Sequence, residues 1–136
     1  MRKLFGELRV PEVAAKELRE ILGRYFDASA HFMIHHFIGP VEEITKWLDA
    51  FPHTMFSVGG VTTLSPADQV AAIKAVPVGH LLLETDAPYF GLAGAPGTPY
   101  DDFGTAEVVA NWREVDQREI LRVTVENARR FFRLAR

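Results

Sequence analysis

Apolar residues along the chain follow two rhythms. Residues 30–38, 54–58 and 80–85 are short runs of nearly continuous apolar character, the pattern of strands buried on both faces. Between them the apolar positions fall three or four apart. Val41, Ile44, Trp47, Leu48 and Phe51 share one helical face after Gly39-Pro40. Val70, Ile73 and Val76 share another. That second helix has a readable start, with Ser65 able to cap, Pro66 suited to the first helical position and Asp68 in the first turn. Pro77 stops it. Strand, helix, strand, helix, strand predicts a parallel sheet with right-handed crossovers.

The flanks add helices. Residues 11–24 carry Val13, Leu18, Ile21 and Leu22 at helical spacing. Residues 87–104 are rich in Gly and Pro and read as a long loop over one end of the sheet. A helix is predicted from about Thr105 to Trp112. Asp116-Gln117-Arg118-Glu119 then resembles a capping box with Asp in the leading place, opening a last helix that bears Ile120, Val123, Asn127, Phe131 and Leu134. No linker or low-complexity segment divides the chain, so it reads as one domain over residues 1–136, with residues 1–29 a helical lead-in. Three β/α units make a thin sheet, too few to close a barrel of eight.

Composition narrows the function. The 136 residues include no Cys, which excludes disulfides and thiolate metal sites and leaves His, Asp and Glu as metal ligands. A formal charge of −3 argues against a protein that coats DNA through phosphate contacts. It leaves open an enzyme whose cations meet the phosphates. Mean hydropathy is near zero at +0.01, and no apolar run approaches the roughly 20 residues of a membrane span. The N-terminal residues lack the apolar stretch of a signal peptide. The expectation is a cytoplasmic or nuclear protein with no membrane partner.

The candidate chemistry sits where strands end. Glu84 and Asp86, one residue apart at the C-terminal end of the third run, point to the same side, and that end of a parallel sheet is where sites form. Paired carboxylates hold hard divalent cations and can position a water. The plainer alternative pairs Glu84 with an Arg and uses Asp86 to cap the following turn. His35-His36 ends the first run in the equivalent place. Because adjacent strand residues face opposite sides, at most one of them is expected to share a site with Asp86; the plainer alternative is a core His with a hydrogen bond. Residues 57–63, with Gly59-Gly60, suggest either a phosphate cradle or ordinary turn geometry. His31, His53 and His80 read as structural or exposed, and Arg129, Arg130, Arg133 and Arg136 as a solvated helix face.

Three segments together resemble the TatD family of metal-dependent deoxyribonucleases. Residues 82–89 read LLETDAPY, as the family does; His35-His36-Phe37-Ile38-Gly39 is similar to its HCFSG; residues 125–132, VENARRFF, are similar to its TENARRLF. Residues 51–59 and Pro77 resemble most an animal branch of the family. Order and spacing agree from about residue 30 to 136. The resemblance implies an α/β fold, the C-terminal part of a TIM-type (β/α)8 barrel, with about three parallel β/α units plus terminal helices. It implies that His35 is a metal ligand on the sixth strand. Asp86 on the eighth binds metal and orients or activates the attacking water, acting as the catalytic acid-base residue. Glu84 lies beside it, supporting the site or facing substrate. His36 takes the Cys position, which is not a ligand, and Asn127 and Phe131 anchor the last helix. The implied cofactor is a divalent ion (Mg2+, Mn2+ or Zn2+). The implied substrate is DNA, in some members RNA, cleaved at phosphodiester bonds.

The family's first-strand His-x-His and its mid-barrel Glu and His have no counterpart in these 136 residues, and residues 91–97 replace a segment that carries basic residues. Two ligands are fewer than the three a catalytic ion normally draws from protein. The chain alone is therefore expected to have little activity, its cation incompletely held, and a partner would be the family's preceding strands or a second copy. Two alternatives stand beside the nuclease: an inactive half-barrel serving as an interaction module or truncated product, and an unrelated small α/β binding domain. Three motifs in register weigh against the last.

Overall fold

The computed structural model describes residues 12–60, 66–89 and 96–134. Five α-helices and three strands follow one another as α1 (Glu12–Tyr25), β1 (Met33–Ile34), α2 (Val41–Ala50), β2 (Met55–Gly59), α3 (Ala67–Ala75), β3 (Leu81–Glu84), α4 (Asp101–Arg113) and α5 (Gln117–Phe131), with a 3-10 turn at Val78–His80. The sheet is parallel in the order β1-β2-β3. Met33 and Ile34 pair with Met55 and Phe56, and Phe56 through Gly59 pair with Leu81 through Glu84.

Strand alternation sorts the sheet into two faces. Phe56, Val58 and Leu81 enter the main core with Ile44 and Trp47 of α2, Phe51 just past it, Ala72 and Ile73 of α3, Ala106, Val109 and Ala110 of α4 and Ile120 of α5. Met55, Ser57 and Gly59 lie on the opposite face, where the register sets Leu82 beside Ser57 and Glu84 beside Gly59. Every residue of β2 is buried. Asn127 of α5, 2 % exposed, donates through Nδ2 to the carbonyls of Val78 and Leu81, both at 2.8 Å, and so ties the last helix to the start of β3. Phe131 packs its ring 4.9 Å from Phe132 and 6.0 Å from His31.

Several boundaries differ from the sequence expectation. The nine-residue first strand shrinks to two ladder residues, although Phe32 O and Phe37 N still bond to β2 on either side. As the edge strand of the described sheet it is not buried on both faces, and Met33 is 37 % exposed. Helix α4 begins at Asp101 rather than Thr105, because the Asp101 carboxylate accepts from Thr98 N at 2.9 Å and closes the first turn, with Gly104 inside the helix. Pro66 precedes α3 as its cap residue, its carbonyl accepting from Gln69 and Val70. Asp116 caps α5 by accepting from Arg118 N at 2.7 Å. The reciprocal half of the expected box is replaced, since Glu119 bonds Arg122. Leu134 lies past the helix and is exposed.

Of the apolar stripe expected of α1, Leu22 packs against the core, whereas Leu18 and Ile21 are 46 % and 48 % exposed. The helix is also held by Arg19, which pairs with the buried Glu43 of α2 and lies 5.5 Å over the Trp47 ring. Ser65, residues 61–63 of the glycine-bearing turn, residues 91–95 and Arg136 lie outside the described residues. Among the described residues no helix is long and apolar enough to cross a membrane.

Candidate metal centre

The ends of β1 and β3 meet across β2. His35 Nε2 lies 3.2 Å from Glu84 Oε2 and 3.6 Å from Asp86 Oδ1. His36 Nδ1 lies 3.4 Å from Glu84 Oε1 and 3.9 Å from Asp86 Oδ2. Glu84 and Asp86 share a side, as their spacing requires. The expectation that only one histidine could join them is corrected. His36 has φ 49°, a left-handed conformation in which strand alternation no longer applies. The chain leaves the extended path after Ile34, and both imidazoles turn to the carboxylates.

Ser57, fully buried on β2 between the two outer strands, holds this arrangement. Its hydroxyl donates to Glu84 Oε2 at 2.5 Å and accepts from His36 N–H at 3.2 Å. Ile34 O stands 3.3 Å away, but the charged and nearer acceptor takes the proton. Gly59 leaves the room the site needs. A Cβ there would come within 3.2 Å of His36 Nδ1 and 3.4 Å of Glu84 Cγ, so its role here is close approach. From below, Gln69 of α3 donates to Phe37 O at 2.9 Å and fixes the chain just past His36.

Exposure grades across the group: His35 is 57 % exposed, Asp86 25 %, His36 23 % and Glu84 11 %. Burial pushes the Glu84 carboxyl up, yet contact with His36 and the Ser57 hydroxyl, helped by the charges of His35 and His36, brings it below its ordinary range. The Glu84 carboxylate raises His36 above the usual imidazole value, against the opposing effect of burial and with help from the charges of Glu84 and Asp86. Among the described residues, His36 Nδ1 and Glu84 Oε1 are buried without a hydrogen-bond partner; at 3.4 Å their attraction is ionic. Nearby on α4, burial raises the Asp102 carboxyl to about 6, with the charges of Glu84 and Asp101 adding to it, and its Oδ1 is likewise unpartnered.

The donors suit a divalent cation. His35, Glu84 and Asp86 each offer an atom within 4.8 Å of the others, and imidazole with carboxylate is a ligand set for Zn2+, Mn2+ and related ions. Glu84 thus stands beside the expected pair His35 and Asp86 as a third group that could hold the ion. Among the described residues no Arg engages Glu84, and the turn after Asp86 is closed by that residue's main-chain carbonyl, which accepts from Tyr89 N at 2.7 Å. The other histidines stand apart: His31 and His53 stack at 4.6 Å, and His80 Nδ1 meets Thr54 O at 2.8 Å. Arg130 bonds Gly79 O at 2.6 Å and Asn127 at 2.9 Å, bracing α5. A cleft lined by Lys74, Val78, Arg113, Val115, Glu119 and Ile120 shares no residue with the centre.

Sequence reasoning named Ser57 and Gly59 only as part of a possible phosphate cradle, not as supports of this site, and missed Asp102. The available signal was the Ser57-x-Gly59 alternation at the end of a strand, which places both on Glu84's face.

Comparison with known proteins places this geometry. The family described as TatD-related DNase matches residues 10–133. The chain is 30 % identical to the uncharacterized metal-dependent hydrolase YabD of Bacillus subtilis over 106 residues, covering 75 % of this chain and 41 % of the relative. It is 33 % identical to deoxyribonuclease Tat-D of Saccharomyces cerevisiae over 64 residues, covering 47 % and 15 %. Among solved structures, the TatD homolog YJJV of Escherichia coli superposes with TM-score 0.75 at 26 % identity, covering 89 % of this chain and 47 % of that one. An uncharacterized amidohydrolase of S. cerevisiae superposes with TM-score 0.76 at 18 % identity, covering 88 % and 51 %. The chain spans less than half the length of the curated relatives it matches. Its three parallel β/α units are part of a TIM-type barrel of the TatD kind, and the chain belongs to the TatD-related DNase family.

Proposed function

We propose that this chain carries part of the metal centre of a metal-dependent hydrolase that cleaves phosphodiester bonds in DNA, with RNA as a second substrate class. The observation that carries the proposal is the meeting of His35, Glu84 and Asp86 at the C-terminal ends of neighbouring parallel strands. The relative named a deoxyribonuclease supports DNA as the substrate.

Each residue has a distinct task. His35, at the open mouth of the site, presents Nε2 toward both carboxylates and binds a cation through that atom. Glu84, largely shielded from solvent and pinned by Ser57, holds a charged oxygen in a fixed place. Asp86, partly open to solvent, can accept a hydrogen bond from water and take its proton as it attacks. A divalent cation supplies the charge that polarises a phosphoryl oxygen and eases deprotonation of a nearby water. Mg2+, Mn2+ and Zn2+ are all compatible with a site of one imidazole and two carboxylates.

The test is cleavage of end-labelled DNA and RNA oligonucleotides by the purified 136-residue chain in Mn2+, beside Asp86→Asn and His35→Ala. Cleavage that EDTA stops, and that either substitution lowers at least about 100-fold, supports the proposal. Cleavage unchanged in both variants overturns it. Mn2+ binding without cleavage of either substrate favours instead a half-barrel that acts through a partner.

A further inference from the structure

We infer that the exposed face of α1 is a self-association surface, on which a second copy of this chain lays its own α1 antiparallel. The inference stands independently of the metal centre and of the hydrolase reading.

The helix has two sides that matter. Leu22 packs against the core and Arg19 reaches Glu43 of α2, so that side turns to the body of the molecule. About a quarter turn away lie Ala14, Leu18, Ile21 and Tyr25, spaced four, three and four apart. That is the rhythm of a seam where two helices meet. Leu18, Ile21 and Tyr25 are 46 %, 48 % and 78 % exposed. Single exposed apolar residues are ordinary on a protein surface, but a contiguous row of them marks an interaction site.

The charges beside the stripe choose the occupant. Lys16 pairs with Glu20 and Arg19 with Glu43, which leaves Glu17 and Arg24 without an ion pair among the described residues. Both flank the stripe on the side away from Leu22, two turns apart. Two helices laid antiparallel about a two-fold axis between Arg19 and Glu20 set Leu18 against Ile21 of the second copy, and Ala14 against its Tyr25. The same register brings Glu17 to Arg24 of the second copy and, by symmetry, Arg24 to its Glu17. A parallel pairing sets like residue on like and gives neither charge an opposite partner. The stripe is thus complementary to itself in one orientation, which the opposed helix dipoles also favour. The apolar row supplies affinity, and the paired charges fix direction. A helix of 14 residues is only about 21 Å long. The interface is therefore small and the dimer weak, with a dissociation constant on the order of 100 µM.

The experiment is sedimentation velocity on the 136-residue chain from about 5 to 500 µM, in EDTA so that no cation bridges the copies. A reversible monomer–dimer equilibrium is expected. Ile21→Asp, at an exposed position and with its fold checked by circular dichroism, should weaken the dimer at least about tenfold. Glu17→Arg or Arg24→Glu alone sets like charges together twice per dimer and should weaken it at least about threefold. The double variant Glu17→Arg/Arg24→Glu remakes both pairs with the signs exchanged, and should return to within about twofold of wild type. That rescue is a readout which a loss of fold cannot imitate. A chain still monomeric at about 500 µM overturns the inference. A dimer that Ile21→Asp leaves intact overturns it as well, since the contact then lies elsewhere. A double charge variant no tighter than the single ones overturns the antiparallel register. None of these outcomes bears on the hydrolase proposal.

Discussion

Ser57 shows how much one hydroxyl can organise. Donating to Glu84 and accepting from His36, it couples the two outer strands through the middle one. Asp102 is the opposite case, a carboxyl with a buried, unpartnered oxygen facing the charges of Glu84 and Asp101. Its folded value of about 6 exceeds the ordinary value of 3.8 for an aspartate, so the folded chain binds the extra proton between those two pH values. Stability from this group is therefore greatest when it is protonated and falls as pH rises from about 4 to 6. Asp102→Asn should gain stability relative to wild type as pH is raised from 5 to 7.5 in the metal-free chain, measured as the difference in urea midpoint. A difference that does not change with pH would refute the assignment. Among the candidate residues, Glu84 and Asp86 were legible as sharing a side because the two-residue spacing fixes it, whereas His35 was singled out from His36 only by the family resemblance. The place of His36 beside the carboxylates was not legible, because the alternation rule presumes extended backbone and its φ of 49° breaks it. Ser57 was hidden for another reason: a hydroxyl in an apolar strand announces neither acid nor ligand.

At the level of elements, helices α2 and α5 were readable from their apolar spacing, and α1 shows where that spacing misleads. Its Leu18 and Ile21 remain exposed while Leu22 and a charged residue make the attachment. Arg19 is 10 % exposed and its partner Glu43 only 3 %. Removing one member of so buried a pair strands the other. Lys46, 3.0 Å from Glu43, can compensate in part. Arg19→Ala is accordingly expected to cost about 2–3 kcal/mol by urea denaturation. A cost below about 0.5 kcal/mol would show that the apolar contacts of Leu22 hold the helix instead. The early start of α4 escaped the sequence reading because Gly104 and the preceding prolines signal a loop, while the Thr98–Asp101 bonds that begin the helix are local side-chain chemistry.

For the whole molecule, the centre draws on the ends of all three strands, so a bound cation ties the sheet together. Binding that favours the folded state stabilises it by mass action. At a free Mn2+ concentration 100 times the dissociation constant, the gain should be about 2.7 kcal/mol for one site, seen as a rise in thermal midpoint that EDTA reverses and Asp86→Asn lacks. An unchanged midpoint at saturating Mn2+ would mean that the unfolded chain binds as well as the folded one. The parallel β/α order was legible throughout, since the pattern of apolar runs and helical faces reports connectivity directly.

The brevity of β1 has a consequence beyond the site. It forms one edge of the described sheet, and an open edge invites a stray strand from another molecule to add on. Only two of its residues run in register with β2 before the backbone swings left-handed at His36. That offers an incoming strand almost no template. The bend that brings the second imidazole to the carboxylates therefore also guards this edge of the described sheet against a stray strand.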